Sequence, residues 1–146
     1  SFKTSFEENL SQIVGNKEAI GVAIYNIIHN AVRHSPNNFT VVVGAKHSNF
    51  DEEEIDNQET VVIYIDDKGD GIDREKQDLL SSSFYEGNDI VSHQSGDLGY
   101  HTSSFGVGLS TVYRIVEIHQ AKIWFKSKPQ KGTTFFIAFP ILKNIE

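Results

Sequence analysis

The length, composition and charge of the chain set the first limits on its function. It has 146 residues, of which 38% are apolar, and this fits one globular domain with a single core. The formal net charge is −7 and there is no cysteine. A net negative charge argues against general affinity for nucleic acid or an anionic membrane, because such affinity needs a basic face. A chain without cysteine forms neither disulfides nor thiolate metal sites, which is compatible with the cytosol.

Targeting and membrane segments are not apparent in the sequence. No apolar run approaches the roughly 20 residues that span a bilayer, and no signal peptide is visible. The chain begins at Ser1 and contains no methionine, which indicates a segment of a longer protein. We therefore expect a single domain over residues 1–146, cytoplasmic and without direct membrane contact. A parent protein with membrane spans remains compatible with the sequence.

The first half of the chain predicts strands around one long helix. Residues 2–14 favour one or two short strands, and 39–46 favour another. Residues 17–34 predict a helix because apolar residues recur on one side at helical spacing; these are Ile20, Ala23, Ile24, Ile27, Ile28 and Ala31. The acid-rich stretch 47–60 is typical of a solvated hairpin loop.

The second half predicts a strand at 61–67, helices at 73–80 and 106–119, and a hairpin of strands at 121–125 and 133–139. Residues 81–105 are rich in serine and glycine without a sustained period, which is typical of a lid or a binding loop. The pattern predicts an α+β fold, a two-layer α/β sandwich. Its mixed, mainly antiparallel sheet would have helices packed on one face.

The first helix carries a polar stripe. Asn26, Asn30 and Arg33 are spaced by four and three residues and therefore lie on one side. Asparagine is a mediocre helix former, so two asparagines on one side of a helix indicate a specific role. An amide oxygen suits Mg²⁺, and an arginine suits phosphate oxygens. A plain solvated helix face is the alternative, and the stripe alone favours it.

The strand at 61–67 ends in a carboxylate. Asp67 continues the row of apolar residues at 61, 63 and 65, so it shares their face. A partly buried carboxylate needs hydrogen-bond donors, and the exocyclic amine of adenine is one. Gly69 and Gly71 would let the backbone approach a ligand closely. An ordinary acidic turn explains the same residues, since aspartate and glycine mark turns generally.

Glycines also open the helix predicted at 106–119. Gly106 and Gly108 would place free backbone N–H groups and the positive end of the helix dipole toward a phosphate. An ordinary glycine-rich helix entry is equally compatible. His34 flanks the asparagine stripe, and its planar ring could stack on a base. The remaining histidines outside the first helix fit surface positions; they are His47, His93, His101 and His119.

Taken in order, these runs resemble the catalytic ATP-binding domain of sensor histidine kinases. They correspond to its N, G1, F and G2 boxes and its closing hairpin: Asn26 with Asn30-Ala31-Val32-Arg33-His34-Ser35, Asp67-Lys68-Gly69-Asp70-Gly71-Ile72, Phe84, Gly106-Val107-Gly108-Leu109, and Lys131-Gly132-Thr133-Thr134-Phe135. The resemblance covers roughly residues 10 to 140. It implies a Bergerat-type sandwich of the GHKL superfamily that binds Mg-ATP under a mobile lid.

The resemblance also implies a role for each matching residue. Asn30 would hold Mg²⁺, with Asn26 assisting and Arg33 binding at the phosphates. Asp67 would take the adenine amine, and Thr133 would share a water there. The other matching positions would complete the nucleotide site, with the glycines shaping the phosphate end of the lid; they are His34, Gly69, Gly71, Ile72, Phe84, Gly106, Val107, Gly108 and Leu109.

The activity implied is that of a protein-histidine kinase. It would transfer the γ-phosphate of ATP to a histidine on a dimerisation and phosphoacceptor domain absent from this chain, with a response regulator as an indirect partner. The isolated domain would be a monomer. ATPases of the superfamily usually carry a general-base glutamate near Asn30, but Glu18 is the only acidic residue of this helix and lies three turns away. Direct hydrolysis is therefore disfavoured.

The sequence departs from the family pattern around the lid. Ser104 stands where a further glycine is common, and Lys68 where asparagine or threonine is common. No lysine or arginine occurs between Lys76 and Arg114 to touch the γ-phosphate. A degenerate nucleotide-sensing or docking module is therefore one alternative, and another GHKL ATPase or a serine-directed kinase is a second.

Overall fold

The computed structural model of the chain describes residues 1–33, 40–47, 59–86 and 103–141, with only the backbone for 81–86 and 103–107. The elements of these residues are β1 (Phe2–Phe6), α1 (Lys17–Arg33), β2 (Val41–His47), β3 (Thr60–Asp67), α2 (Arg74–Glu86), α3 (Ser103–Ile118), β4 (Lys122–Lys128) and β5 (Gly132–Pro140). None of the described helices is both long and apolar enough to cross a membrane.

The strands form one mixed sheet in the order β1-β2-β3-β5-β4. β1 runs parallel to β2, and the other neighbouring pairs are antiparallel. β3 lies in the centre, so the residue at its end has a neighbour on each side. Asp67 pairs with Val41 of β2 and with Thr133 of β5.

The three helices pack on one face of this sheet and share a single core with it. Its buried residues alternate along the strands and recur at helical spacing along the helices, as their periodicities require. They include Ala23, Ile27, Ala31, Val41, Ile65, Leu80, Leu109, Val112, Phe135, Ile137 and Phe139. The predicted α+β sandwich, with a mainly antiparallel sheet and helices on one face, is confirmed.

The opposite face of the sheet has a smaller cluster. Val62, Trp124 and Ala138 are buried there, with Phe136 packed against them. The rings of Trp124 and Phe136 stack with centroids 5.2 Å apart and planes 10° apart. Trp124 is thus buried on the side of the sheet away from the helices.

The serine- and glycine-rich stretch is shorter than predicted. The expectation that 81–105 lacks regular structure is wrong at both ends, because 81–86 continue α2 and 103–105 begin α3. Leu80 anchors α2 in the core, and extending an existing helix costs little, so the serines that follow do not end it. The remainder of the expected lid, 87–102, lies outside the described residues.

Two predicted surface histidines instead connect elements. The Nε2 atom of His119 accepts a hydrogen bond from the Asn16 N–H (2.9 Å), and its Nδ1 atom lies 2.7 Å from the Ile115 carbonyl oxygen. Asn16 in turn caps α1 by accepting from the Ala19 N–H (2.9 Å). His119 thus ties the end of α3 to the start of α1. His47 similarly joins β2 to residues after β1. His93 and His101 lie outside the described residues.

Candidate functional site

The carboxylate predicted at the end of β3 is buried. Asp67 is 7% exposed and lies on the helix-facing side of the sheet, with the row of Ile65. Its Oδ1 atom accepts a hydrogen bond from the Gly69 N–H at 2.9 Å. Burial raises the pKa of the Asp67 carboxyl, while hydrogen bonds from the N–H groups of Gly69 and Thr133 oppose that shift. Because burial makes the ionised carboxylate of Asp67 less stable, a ligand that donates a hydrogen bond to it would be favoured.

The loop after β3 lies directly against the β4–β5 hairpin. Gly71 has a positive φ of 71°, and a Cβ at this position would collide with the carbonyl oxygen of Lys128. Glycine is therefore required here for both conformation and space. The next residue, Ile72, is buried, and its N–H donates to Ser127 Oγ at 2.9 Å. The backbone beside Asp67 is held by the neighbouring hairpin.

The amide of Asn30 faces the same place from α1. Asn30 is 6% exposed, although it is polar and close to the end of the helix. Within the described part of the chain, its Nδ2 atom is buried without a hydrogen-bond partner. Buried polar groups are nearly always paired, so an unpaired amide requires an explanation such as a ligand.

One small cavity brings the two motifs together. Its lining residues are Asn30, Ala31, Asp67, Gly71, Ile72, Thr133 and Phe135. The cavity thus lies between α1, the loop after β3, and β5. Asn30 therefore does not belong to a solvated helix face. Asp67 makes the local hydrogen bond of a turn to the Gly69 N–H, and its carboxylate is also buried at the edge of the cavity.

A wider groove adjoins the cavity and shares Asp67 and Thr133 with it. Its volume is about 470 Å³. Four lysines line it, namely Lys68, Lys126, Lys128 and Lys131. In a chain of net charge −7, this concentration of cations places positive charge next to the buried carboxylate. Lys68 and Lys131 belong to the runs that resemble the family, whereas Lys126 and Lys128 lie in β4 outside those runs.

The helix predicted to begin at the glycines starts earlier. α3 begins at Ser103, so Gly108 and Leu109 lie inside the helix, and Gly106 lies in its first turn. The prediction of a free N–H at Gly108 is therefore wrong. Only the first turn of a helix leaves its N–H groups unpaired, and Gly108 lies beyond that turn. Leu109 is 4% exposed and belongs to the core.

Gly108 has a different, structural use. A Cβ at this position would lie 3.1 Å from Oδ1 of Asn26, so the missing side chain lets α3 approach α1 at the asparagine stripe. Asn26 Nδ2 donates to the Val22 carbonyl at 2.9 Å. The structure thus places Asn26 beside Gly108, one turn along α1 from Asn30.

Several predicted site residues are not in the cavity. Arg33 is exposed at the last position of α1 and is not among the cavity-lining residues. His34 lies outside the described residues. Phe84, Gly106 and Val107 are described by their backbone alone, within α2 and α3.

No motif in the sequence indicates Ser127, yet it contacts the loop after β3 and two residues of β5. Its Oγ atom accepts from the Ile72 N–H and lies 3.0 Å from the Gly132 carbonyl oxygen and 2.8 Å from Thr133 Oγ1. The available signal was periodicity: Ile123 and Phe125 pack on the core face of β4, and Ser127 is the next residue on that face. A hydroxyl that continues an apolar row needs a partner.

A buried carboxylate and an amide nitrogen without a partner in the described part of the chain line one small cavity beside a wider groove. The comparison with protein families identifies the class of protein. Residues 15–143 match the family described as histidine kinase-, DNA gyrase B- and HSP90-like ATPase, and the chain belongs to that family. The family resemblance drawn from the residue runs is confirmed, and ATP is the nucleotide that this family membership supports.

The curated relatives are sensory kinases. The chain is 26% identical over 136 residues to the adaptive-response sensory kinase SasA of Synechocystis sp., covering 93% of this chain and 31% of that protein. It is 29% identical over 138 residues to SasA of Prochlorococcus marinus, covering 94% of this chain and 32% of that protein. The chain thus spans about a third of the length of these relatives.

Solved structures with this fold include two histidine kinases. The mycobacterial sensor histidine kinase MprB aligns with a TM-score of 0.63 at 22% identity, covering 96% of this chain and 80% of that one. The nucleotide-free catalytic domain of histidine kinase ThkA aligns with a TM-score of 0.65 at 18% identity, covering 96% and 78%. At these identities the similarity shows the fold.

Proposed function

We propose that this chain is the ATP-binding catalytic domain of a two-component sensor histidine kinase. It would transfer the γ-phosphate of ATP to a histidine on a dimerisation and phosphoacceptor domain outside this chain, in the cytoplasm, and a response regulator would receive the phosphate indirectly. The observation that carries the proposal is the convergence of Asn30 and Asp67 on one cavity. Family membership and the names of the relatives support it.

The base of the nucleotide would lie at Asp67. The buried carboxylate would accept from the exocyclic amine of adenine, and the backbone at Gly69, Gly71 and Ile72 would approach the ring. Thr133, the cross-strand neighbour of Asp67, would complete this end of the site. Asp67 has the acceptor chemistry for an amine, because an ionised carboxylate offers about four lone-pair sites, and the two backbone donors occupy only part of them.

The phosphates would extend from the base toward α1, where Asn30 would hold Mg²⁺. An amide is free to rotate its oxygen toward a cation, and the amide of Asn30 is buried without a partner for its nitrogen. The described residues contain no cluster of three acidic, histidine or cysteine side chains that could hold a metal. This fits Mg²⁺ that takes its remaining ligands from phosphates and water, and a bound Mg²⁺ would neutralise charge on the phosphates.

Other residues would assist at the phosphates. Asn26 lies one turn before Asn30 and is approached by Gly108 of α3. Arg33, at the exposed end of α1, would supply a positive charge. Gly106, Val107 and Leu109 flank Gly108 in the same helix. Phosphoryl transfer requires placement and charge neutralisation more than covalent chemistry from the protein, which fits a site of this composition.

Transfer to an acceptor is favoured over hydrolysis. Glu18 is the only acidic residue of α1, and it lies in the first turn. At 1.5 Å per residue, it is roughly 18 Å along the helix from Asn30, too far to activate a water at the phosphates. Because α1 carries no general base near Asn30, its composition argues against a superfamily ATPase.

One observation favours a second candidate, a nucleotide-sensing or docking module without transfer activity. No lysine or arginine occurs between Lys76 and Arg114. A cation at the γ-phosphate stabilises the charge that develops during transfer. A domain without one would bind nucleotide but transfer phosphate slowly.

A phosphotransfer assay separates the two candidates. The domain is incubated with Mg-ATP and the acceptor domain of its parent protein, and acid-labile phosphohistidine is measured. Labelling that Asn30→Ala abolishes, while metal-free ADP binding is largely retained, would support the kinase and the metal role of Asn30. ADP binding with no labelling would support the sensing module. Equal loss of both functions in a folded Asn30→Ala variant would contradict the metal role.

A further inference from the structure

Ser127 connects the loop after β3 with β5 through one oxygen atom, which contacts three residues of the proposed base site. The Ile72 N–H donates to Ser127 Oγ at 2.9 Å. Ser127 Oγ also lies 3.0 Å from the Gly132 carbonyl oxygen and 2.8 Å from Thr133 Oγ1. All three partners belong to the loop after β3 or to β5, whereas Ser127 belongs to β4.

A count of protons determines the direction of these hydrogen bonds. A serine hydroxyl has one proton to donate and two lone pairs to accept with. The carbonyl of Gly132 can only accept, so the Ser127 proton satisfies it. The two lone pairs of Ser127 then take the Ile72 N–H and the proton of the Thr133 hydroxyl. No other arrangement satisfies all three contacts at once.

The Thr133 hydroxyl, whose proton is engaged by Ser127, can only accept hydrogen bonds on its cavity side. Thr133 is 6% exposed and pairs across the strands with Asp67. Asp67, when ionised, also accepts only. Both residues line the same cavity. The two side chains therefore present acceptors. The direction of the Thr133 hydroxyl depends on Ser127, which lines the adjoining groove but not this cavity.

We infer that Ser127 is a positioning residue that sets the base specificity of this site, an inference that rests on the proposed nucleotide function. By orienting the Thr133 hydroxyl as an acceptor beside Asp67, it favours purine nucleotides with a 6-amino group over those with a 6-oxo group. An amino group donates to both acceptors, directly or through water. A carbonyl oxygen at the same position would face lone pairs and a negative charge.

The test compares ADP with inosine diphosphate by calorimetry; the inosine base has a 6-oxo group and an N1–H where adenine has a 6-amino group and an unprotonated N1. The N1–H can donate to Asp67 in wild type and variants alike, so a change caused by Ser127 reports the contact of Thr133 with the 6-oxo group. Wild-type protein should bind ADP more tightly. In Ser127→Ala the Thr133 proton is released and can serve a 6-oxo group, so the preference for ADP should fall by roughly three- to tenfold, the worth of one hydrogen bond. Ser127→Thr keeps the hydroxyl and should restore the preference. Thr134→Val removes a hydroxyl that donates to Asp66 at 2.7 Å and serves as the matched control.

The outcomes separate this inference from the proposed function. If Ser127→Ala weakens both nucleotides equally, Ser127 only supports the loop, and the inference is wrong while the nucleotide site stands. Wild-type protein that binds neither nucleotide would overturn both. If Ser127→Ala does not fold, NMR of the wild type decides: the buried Thr133 hydroxyl proton should show contacts to the β-protons of Ser127. A proton directed at Asp67 instead would overturn the inference.

Discussion

Two backbone donors hold the carboxylate of Asp67 while it remains available to a ligand. The N–H groups of Gly69 and Thr133 donate to it, and burial raises its pKa despite them. Its neighbour Asp66 differs, because it lies on the other face of the sheet and pairs with Lys68 at 3.4 Å. Adjacent carboxylates on one strand thus have distinct environments, which provides a matched pair for experiment.

Replacement of Asp67 by asparagine should weaken ADP binding. The change removes a charge-assisted hydrogen bond, which typically contributes about 1.5–3 kcal/mol, or roughly ten- to a hundredfold in affinity. Asp66→Asn removes a charge from the same strand on the opposite face, where the carboxylate lines the wider groove but not the cavity, and should alter affinity less than Asp67→Asn. Calorimetry with both variants measures the difference. Equal affinities of the wild type and Asp67→Asn would show that Asp67 does not bind the base.

The pKa of Asp67 also predicts how stability depends on pH. The pKa of Asp67 in the folded protein is raised above 3.8. Between pH 3.8 and that pKa, Asp67 therefore keeps its proton in the folded protein but loses it in the unfolded chain. Stability therefore falls as pH rises through this interval. Relative to Asp67→Asn, nucleotide-free wild type should become more stable as pH decreases toward 3.8. Urea unfolding of both proteins across pH measures this, and a difference that stays constant would contradict the burial argument.

At the scale of secondary structure, two glycines on packed helices have opposite surroundings. Gly21 of α1 is exposed, and a Cβ there would meet nothing within 4 Å. Gly108 of α3 directly faces Asn26. The general preference of helices for alanine over glycine therefore acts alone at Gly21, but it competes with a close contact at Gly108.

Alanine substitution should separate these two effects. Gly21→Ala should raise the free energy of unfolding by about 0.5–1 kcal/mol, the difference in helix propensity. Gly108→Ala should raise the free energy of unfolding by less, because the new methyl group would contact Asn26 closely. In this variant the affinity for ATP should fall, while the affinity for adenosine should be unchanged. Denaturant unfolding and calorimetry give both quantities. An equal gain in both variants, with unchanged ATP binding, would show that α3 has room at Gly108.

The elements also show which parts of the fold are readable from sequence. α1 and β3 carry long, strong periodic patterns, and their predicted positions agree with the structure closely. The end of α2 and the start of α3 were missed, because the serines there carry no apolar period. Among site residues, Asn30 and Asp67 stood out by type and place. Ser127 did not, because its role arises from hydrogen bonds across strands that sequence spacing alone cannot specify.

At the scale of the whole molecule, one core joins every element that forms the site. Buried residues of all three helices and of β2, β3 and β5 belong to the same cluster. Asn30 lies three residues after Ile27 on α1, and Asp67 lies two residues after Ile65 on β3. Each site residue therefore lies on the same side of its element as a buried residue of that cluster. Nucleotide binding and folding should therefore be coupled through the same packed residues.

This coupling predicts that ADP stabilises the domain as a unit. A ligand at a hundred times its Kd adds about 2.7 kcal/mol to stability. For a domain of this size, that corresponds to a rise in Tm of roughly 5 to 10 °C. Calorimetric melting should show a single transition that moves to higher temperature with ADP, and a smaller shift in Asp67→Asn at the same ADP concentration. Two separate transitions, of which ADP moves one, would mean that the cavity lies on a unit that unfolds independently of the common core.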